Sequence, residues 1–315
     1  MPVVAVVAHA GKTFGGGLPE LRRVLADAGY GDPIWREVPK SRKAPKQVRR
    51  AIADGAELIF AWGGDGMVQR CVHALAGSDA ALAILPAGTA NLLAENLGIP
   101  HDITQAVQLG LTGPRHRLDT GSVNGERFAV MAGAGLDAAM IKDADGGLKD
   151  RFGRAAYVYT ATRNLSARRV KAVVKVDGKR FFTGKVSCVL IGNVGKILGG
   201  VEVFPSARPD DGLLDIGVVT AGSPAQWART FSRVASGNAA KSPFVQLTRG
   251  KRVKLRFARP FRYELDGGAR AAVTKLDIKV HPASVTICVP ATPVRSDIST
   301  SLMPPSTHSS LHAGQ

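Results

Sequence analysis

Cysteine is scarce in this 315-residue chain: Cys71, Cys188 and Cys288 stand far apart, and no CxxC pair occurs. That excludes a disulfide framework and a cysteine-based zinc site, and leaves buried apolar thiols as the expectation. Aromatic residues make up only 6%, too few for a base-stacking platform, and neither zinc-finger spacing nor RNP-type motifs occur. No apolar run approaches the roughly 18 residues of a spanning helix, and the opening MPVVAVVAHAGK has neither a basic n-region nor a long h-region. A cytoplasmic location is the expectation. Acidic residues are also in short supply, 25 against 42 Lys and Arg, for a net charge of +17. That imbalance asks for a polyanionic partner, a membrane surface or solubility through self-repulsion. The basic residues are spread through KSRKAPKQVRR (40–50), SARRVKAVVKVDGKR (166–180) and RGKRVKLRFARPFR (249–262). Direct nucleic-acid binding is not expected of them. Solvated faces and attraction to anionic lipid are, at ~1 kcal/mol per basic residue near such a surface.

What is present is globular. With 45% hydrophobic and 21% charged residues over a length exceeding one typical domain, two domains with separate cores are predicted. From residue 1 to about 120, β-branched runs alternate with helical patterns: PVVAVVA then LPELRRVLADAG, AELIFAW then MVQRCVHALAG, ALAIL then LLAENLG and ITQAVQLGL. This is the βαβ signature of a parallel sheet with helices on its faces. Beyond RHRLDTGSVNGERF the pattern becomes strand-rich, with tight turns at Asn124-Gly125 and Asp177-Gly178 and two helical interludes, RFGRAAYVYTATRNLSA and PAQWARTFSRVASG. The expected fold is an α/β domain with a parallel sheet at 1–120, then an antiparallel β domain at 121–290. Residues 291–315, rich in Ser, Thr and Pro, read as a disordered tail.

Glycine clusters follow three strands of the first domain. Gly63-Gly64-Asp65-Gly66 joins AELIFAW to the helix MVQRCVHAL. Such a bend lets backbone N–H groups approach an anion where the helix dipole favours negative charge, although a bare tight turn with Asp65 as helix cap would look the same. The second loop, in ILPAGTANLLAENLGIP (84–100), favours phosphate. Pro86 stiffens the strand exit, Gly88 permits close backbone approach, and Thr89 and Asn91 can reach phosphate or cap the next helix. Parallel strands deliver both loops to one sheet edge, where ligands of open α/β sheets bind. The third cluster, HAGKTFGGG (9–17), ends like a P-loop in Gly11-Lys12-Thr13, but that motif's first glycine would fall at Val6.

AWGGDG followed, after the next strand, by LPAGTANLLAENLGIP resembles the catalytic domain of the diacylglycerol kinase family, bacterial lipid kinases related to sphingosine kinases. IGNVGKILGGVEVFPSARPDDGLLDIGVV (191–219) resembles that family's Asn, Gly-Gly, Pro-x-Ala and Asp-Gly-x-Leu-Asp segment, and YELDGG (263–268) its Asp-Gly-Glu segment. The match covers residues 1 to about 290, and four ordered motifs at matching intervals make it specific. It implies a nucleotide-binding α/β domain and a β-sandwich-like domain of NAD kinase/diacylglycerol kinase-like fold enclosing a cleft.

The resemblance implies transfer of the ATP γ-phosphoryl group to a lipid hydroxyl, diacylglycerol or a similar lipid, with positioned phosphates, Mg2+ and a base. Gly63, Gly64, Asp65, Gly66, Met67, Gly88, Thr89 and Asn91 would line the nucleotide. Asp211, flanked by Asp210 and Asp215, would be the magnesium ligand, helped by the carbonyls of Arg208 and Leu213; PDDG on its own reads as a turn. For the base, Asp65, the analogous catalytic residue of the sphingosine-kinase branch, competes with Asp266, and the sequence does not choose. The lipid substrate would sit in an anionic membrane, reached peripherally from its cytoplasmic face in binding that weakens with salt. A homodimer is left open. Residues 131–160 are expected to help form an acyl pocket between the domains.

The chain departs from the family at Met67 for Thr, Gln69-Arg70 for Asn-Glu, Gly268 for Glu and His9-Ala10 for Asn-Pro. These departures support a second reading, a catalytically degenerate ATP- and lipid-binding sensor. NAD kinases, which share a Gly-Gly-Asp-Gly loop on a similar plan, supply a third, a kinase of a soluble substrate.

Overall fold

The computed structural model describes residues 1–135, 169–197 and 201–291. The helical interlude read at 151–167, most of the expected acyl-pocket segment, Gly199, Gly200 and nearly all of the Ser/Thr/Pro-rich tail lie outside the described residues.

In the first half, β1 (Val4–His9), β2 (Ile34–Val38), β3 (Leu58–Gly63) and β4 (Ala81–Pro86) form a parallel sheet in the order β4–β3–β1–β2. Between them run α1 (Gly17–Asp27), α2 (Ala44–Ala53) and α3 (Asp65–Leu75), with α4 (Leu92–Leu97) and α5 (Ile103–Thr112) after β4. β3 and β4 are buried along their whole length, which is why they read as unbroken apolar runs. Phe60, Trp62 and Leu85 pack on the side of α1 and α5, while Ile59, Ala61 and Ile84 pack on the side of α2 and α3. β2 and α2 have no counterpart in the sequence reading. β2 (IWREV) is a half-buried edge strand, and α2 hides its stripe of Ala44, Val48 and Ala51 among Lys46, Arg49 and Arg50. The basic run at 40–50 is therefore largely the solvent face of an amphipathic helix.

The second half is antiparallel. It comprises β5 (Arg115–Val123), β6 (Glu126–Phe128), β7 (Met131–Ala134), β8 (Val170–Val176), β9 (Lys179–Val186), β10 (Cys188–Gly192), the small pair β11 (Lys196–Ile197) and β12 (Val201–Glu202), and β13 (Leu214–Val219). The helix α6 (Pro224–Ala235) follows, then β14 (Val245–Gly250), β15 (Arg252–Leu265) and β16 (Gly268–Cys288). α6 is the second helical interlude of the sequence, started by Ser223, whose hydroxyl accepts the Gln226 N–H, and by Pro224 in its first turn. The strands run β14–β13–β10–β7–β15–β16, with β8 on β15 and β9 on β8, around a core that includes Val174, Ile191, Ile216, Leu255 and Ile278. The turns expected at Asn124-Gly125 and Asp177-Gly178 have φ above zero at both residues, as a two-residue hairpin turn of that twist requires.

β16 joins the halves. It pairs with β15, then with β5, and Thr286 and Ile287 finally lie parallel to Ala81 and Leu82 of β4. The change of texture read near 120 falls inside β5, and the end of β16 closes the parallel sheet of the first half. A bulge between His281 and Val285, with Ala283 at φ 46°, re-aims the strand between its two roles. The three cysteines are buried and free, and burial pushes the thiols of Cys71 and Cys188 up to about 12, which leaves them inert. Among the described residues no helix is long and apolar enough to cross a membrane.

Candidate active site

β3 and β4 end side by side, Gly63 opposite Pro86, so both glycine loops leave the sheet at one edge. A Cβ on Gly88 would stand 2.4 Å from the Gly64 Cα, and one on Gly64 would stand 3.0 Å from the Gly88 Cα. Only glycine at both positions lets the two backbones touch. Gly66 is exposed in the first turn of α3 and Thr89 is exposed at the tip of the second loop. Two residues expected at the nucleotide turn their side chains inward. Asn91, buried and left-handed at φ 47°, turns inward: its Oδ1 accepts the Gly88 N–H at 2.9 Å and its Nδ2 donates to the carbonyls of Gly88 and Pro86. It shapes the loop and neither reaches outward nor caps α4 with its side chain. Met67, 2% exposed, packs beneath the first bend, where a Cβ on Gly63 would meet the Met67 Cβ at 2.5 Å.

Asp65 does not cap its own helix. Its carboxylate crosses to the second loop and accepts the Leu92 N–H at 2.5 Å, tying the two loops together. Burial raises its pKa above the ordinary aspartate value, while the N–H groups of Leu92, Asp65 itself and Asn91 pull the other way. Asp266 arrives from the other half. Asp266-Gly267 is the hairpin turn from β15 to β16, with φ 45° and 77°, so the Asp-Gly pair has a plain structural reason. Its carboxylate accepts three successive N–H groups, from Ala129, Val130 and Met131, each at 2.9 Å. Burial, with a small contribution from the charge of Asp65, pushes its pKa up to about 6 against those three N–H groups. The two candidate bases are thus within reach of each other's charge. Behind Asp266, burial followed by the Asp266 charge pushes Glu264 up to about 7, and its Oε2 is buried without a partner among the described residues.

The departures from the family motifs form one connected arrangement. Arg70, on α3, pairs with Glu126 at 2.8 Å. Arg270, on β16, grips the same carboxylate with Nε at 2.9 Å and Nη2 at 2.5 Å, and its Nη1 donates to the Gly268 carbonyl. A Cβ at Gly268 would lie 2.8 Å from that Nη1, so the missing side chain makes room for the guanidinium. The hydrogen bonds of Arg270 hold the Glu126 carboxyl below its ordinary pKa. Gln69, also buried, donates to the Arg127 carbonyl at 2.5 Å. Glu126 and Arg270 were missed from sequence because no local motif surrounds them; Glu264 stands inside YELDGG, where the aspartate drew the reading instead.

At the expected magnesium site, Asp211 is engaged by other partners. One Asp211 oxygen takes the Arg249 guanidinium and the other accepts the Leu213 N–H at 3.0 Å, while the Arg249 Nε bonds Asp215 at 3.1 Å. Asp210 points elsewhere, to Arg208 at 3.5 Å. The cluster already holds a cation, so its residues do not fit a metal ion in this arrangement. Among the described residues no group of three or more His, Cys, Asp or Glu is placed to hold one. The turn itself is anchored by Asp119, whose carboxylate accepts the N–H groups of Gly212 and Ala283 at 2.6 and 2.7 Å. Asn193, from the IGN motif, bonds the carbonyls of Asp119 and Ala129, linking this turn to the segment that holds Asp266.

Residues 4–123 match the family model described as the diacylglycerol kinase catalytic domain, and residues 130–289 match the one described as the YegS C-terminal NAD kinase beta sandwich-like domain. A relative from Pseudomonas savastanoi pv. phaseolicola, named "Probable lipid kinase YegS-like", is 33% identical over 251 residues, 79% of this chain and 81% of its own. The diacylglycerol kinase of Bacillus subtilis strain 168 is 30% identical over 215 residues, 67% of this chain and 71% of its own. A solved structure of a diacylglycerol kinase from Bacillus anthracis str. Sterne covers 91% of this chain and 97% of its own, with a TM-score of 0.69 at 22% identity, a likeness of fold. Matched in both halves and a third identical to a relative over most of its length, the chain belongs to the diacylglycerol kinase catalytic-domain family of lipid kinases, completed by the YegS-type β-sandwich-like domain.

Proposed function

We propose that this chain transfers the γ-phosphoryl group of ATP to the hydroxyl of a diacylglycerol-like lipid, working from the cytoplasmic surface of a membrane. The observation that carries this reading is that Asp65, beside two glycine loops whose backbones touch, and Asp266, from the opposite half, are close enough for their charges to interact. The glycine loops receive the phosphates, with Thr89 and the exposed first turn of α3 at Gly66 facing them. Magnesium comes with the nucleotide, since it is held largely by substrate phosphates and water. Asp65 accepts the proton of the attacking hydroxyl. It is the less buried of the two. Asp266 positions the 129–131 segment. The packing of Met67, the hydrogen bond of Gln69 and the ion pair of Arg70, with Gly268 beside Arg270, give these departures structural roles, which supports the kinase reading over the sensor.

Transfer of labelled γ-phosphate to diacylglycerol, a sphingoid base and phosphatidylglycerol in mixed micelles tests the proposal, with NAD as soluble acceptor. Lipid product is expected, and Asp65→Asn is expected to lower kcat by about 10²–10⁴-fold while retaining ATP binding. Label on NAD alone, or full turnover by Asp65→Asn, would overturn it.

A further inference from the structure

Two of the three basic stretches remain unexplained by the site, and the strand register brings them to one place. β9, β8, β15 and β16 lie side by side, and their inward residues, among them Val174, Val253, Leu255 and Ile278, fill the core. The alternate residues face outward, and there like charges stand directly across from one another. Lys171 opposes Lys185, and Lys175 opposes Arg180 on one side and Lys254 on the other. Arg256 opposes Lys275, and Arg252 opposes Lys279. Five like-charge pairs thus hold nine exposed cations, Lys175 counting twice. In these rows the one carboxylate is Asp277, whose pKa is held down by Arg252 first and then by Lys279 and Lys254.

Opposed like charges about 5 Å apart destabilise a sheet, and a merely solvated face gains nothing from setting them in register. A flat anionic surface gains from it. The outward positions of these rows carry no aromatic ring, only Val173 and Thr183 besides the charged residues, so the face offers bases nothing to stack on. We infer that the outer face of β9–β8–β15–β16 docks on an anionic lipid leaflet. The inference rests on the lipid-kinase reading and deepens it, because β15 runs from this face to the Asp266 turn.

The test is flotation of the full chain, without ATP, with phosphatidylcholine vesicles carrying about one-third phosphatidylglycerol, beside a short DNA duplex as competing polyanion. Lys171→Gln, Lys175→Gln and Lys254→Gln combined are expected to weaken vesicle binding about 100-fold at low salt. Lys46→Gln, Arg49→Gln and Arg50→Gln on α2 are expected to leave it within about threefold. The first variant removes three of the opposed pairs, so its melting temperature is expected to hold or rise, which separates lost docking from lost folding. Equal vesicle binding by both variants, no vesicle binding by the unaltered chain, or its preference for the duplex would overturn the inference. Phosphorylation of a short-chain diacylglycerol in solution by the unaltered chain, measured alongside, reports on the kinase reading independently.

Discussion

Glu264 sits where a carboxyl pays most for its charge: 6% exposed, with one oxygen unpartnered among the described residues and Asp266 close by. Its pKa rises from 4.5 to about 7 on folding, so between those values the native state binds more protons than the unfolded one. Stability must then fall as pH rises through that window and level off above it; Asp266, raised to about 6, acts in the same direction. Urea midpoints measured from about pH 5 to pH 8 are expected to decline for the unaltered chain and more shallowly for Glu264→Gln, which carries no titrating proton. Equal slopes would show that Glu264 is not the buried acid described. At this scale the sequence was readable where function follows a local pattern. Gly64, Gly88 and Asp65 stand between an apolar strand and an amphipathic helix, and YELDGG marks Asp266. It was unreadable where partners are remote: Glu126 meets Arg270 across 144 positions, and Arg249 meets Asp211 across 38. Asn91 misled because an amide in a phosphate-type loop has the same spelling whether it turns out or in.

The element most reinterpreted is the turn before β13. From the family resemblance a magnesium ion was expected at Asp211, although PDDG alone reads as a turn; β14, whose Arg249 lies opposite Asp215, brings a guanidinium there. Burial raises Asp215 while Ser206 and Arg249 pull it down, so the turn depends on that internal cation. The melting temperature of the unaltered chain is expected to be indifferent to EDTA. Arg249→Ala is expected to cost about 2 kcal/mol and to recover part of it with added Mg2+, since two carboxylates are then left to share a cation. A fall in melting temperature on chelation alone would restore the metal reading. α2 teaches the complementary lesson: its positive charges are conspicuous in the sequence, yet its three buried residues at helical spacing fix its place.

Among the described residues, one sheet of 14 strands runs through both halves, and the cores are not separate: Met131, Val194 and Phe204 of the second half pack in the same cluster as Ala5, Ile59 and Val72 of the first. The change of texture was legible because parallel βαβ pattern gives way to alternating strands, but the described residues do not form the separate cores expected of two domains. The seam was not legible, because pairing between residues 81–82 and 286–287 leaves no trace in either local pattern. A chain truncated after Pro282 would remove Val285 and Ile287 from the first core and leave the β4 edge bare. It is expected to show proteolytic cuts in residues 1–120 that the full chain resists; equal resistance would mean that the first half is complete without the strand.

β16 also bears on the order in which the molecule can be made. A chain leaving the ribosome from its amino end exposes the parallel sheet first, with α2, α3 and the glycine loops already outside. The strand that flanks β4 emerges last among the described elements. The half that carries the glycine loops is thus made before the strand that completes its sheet.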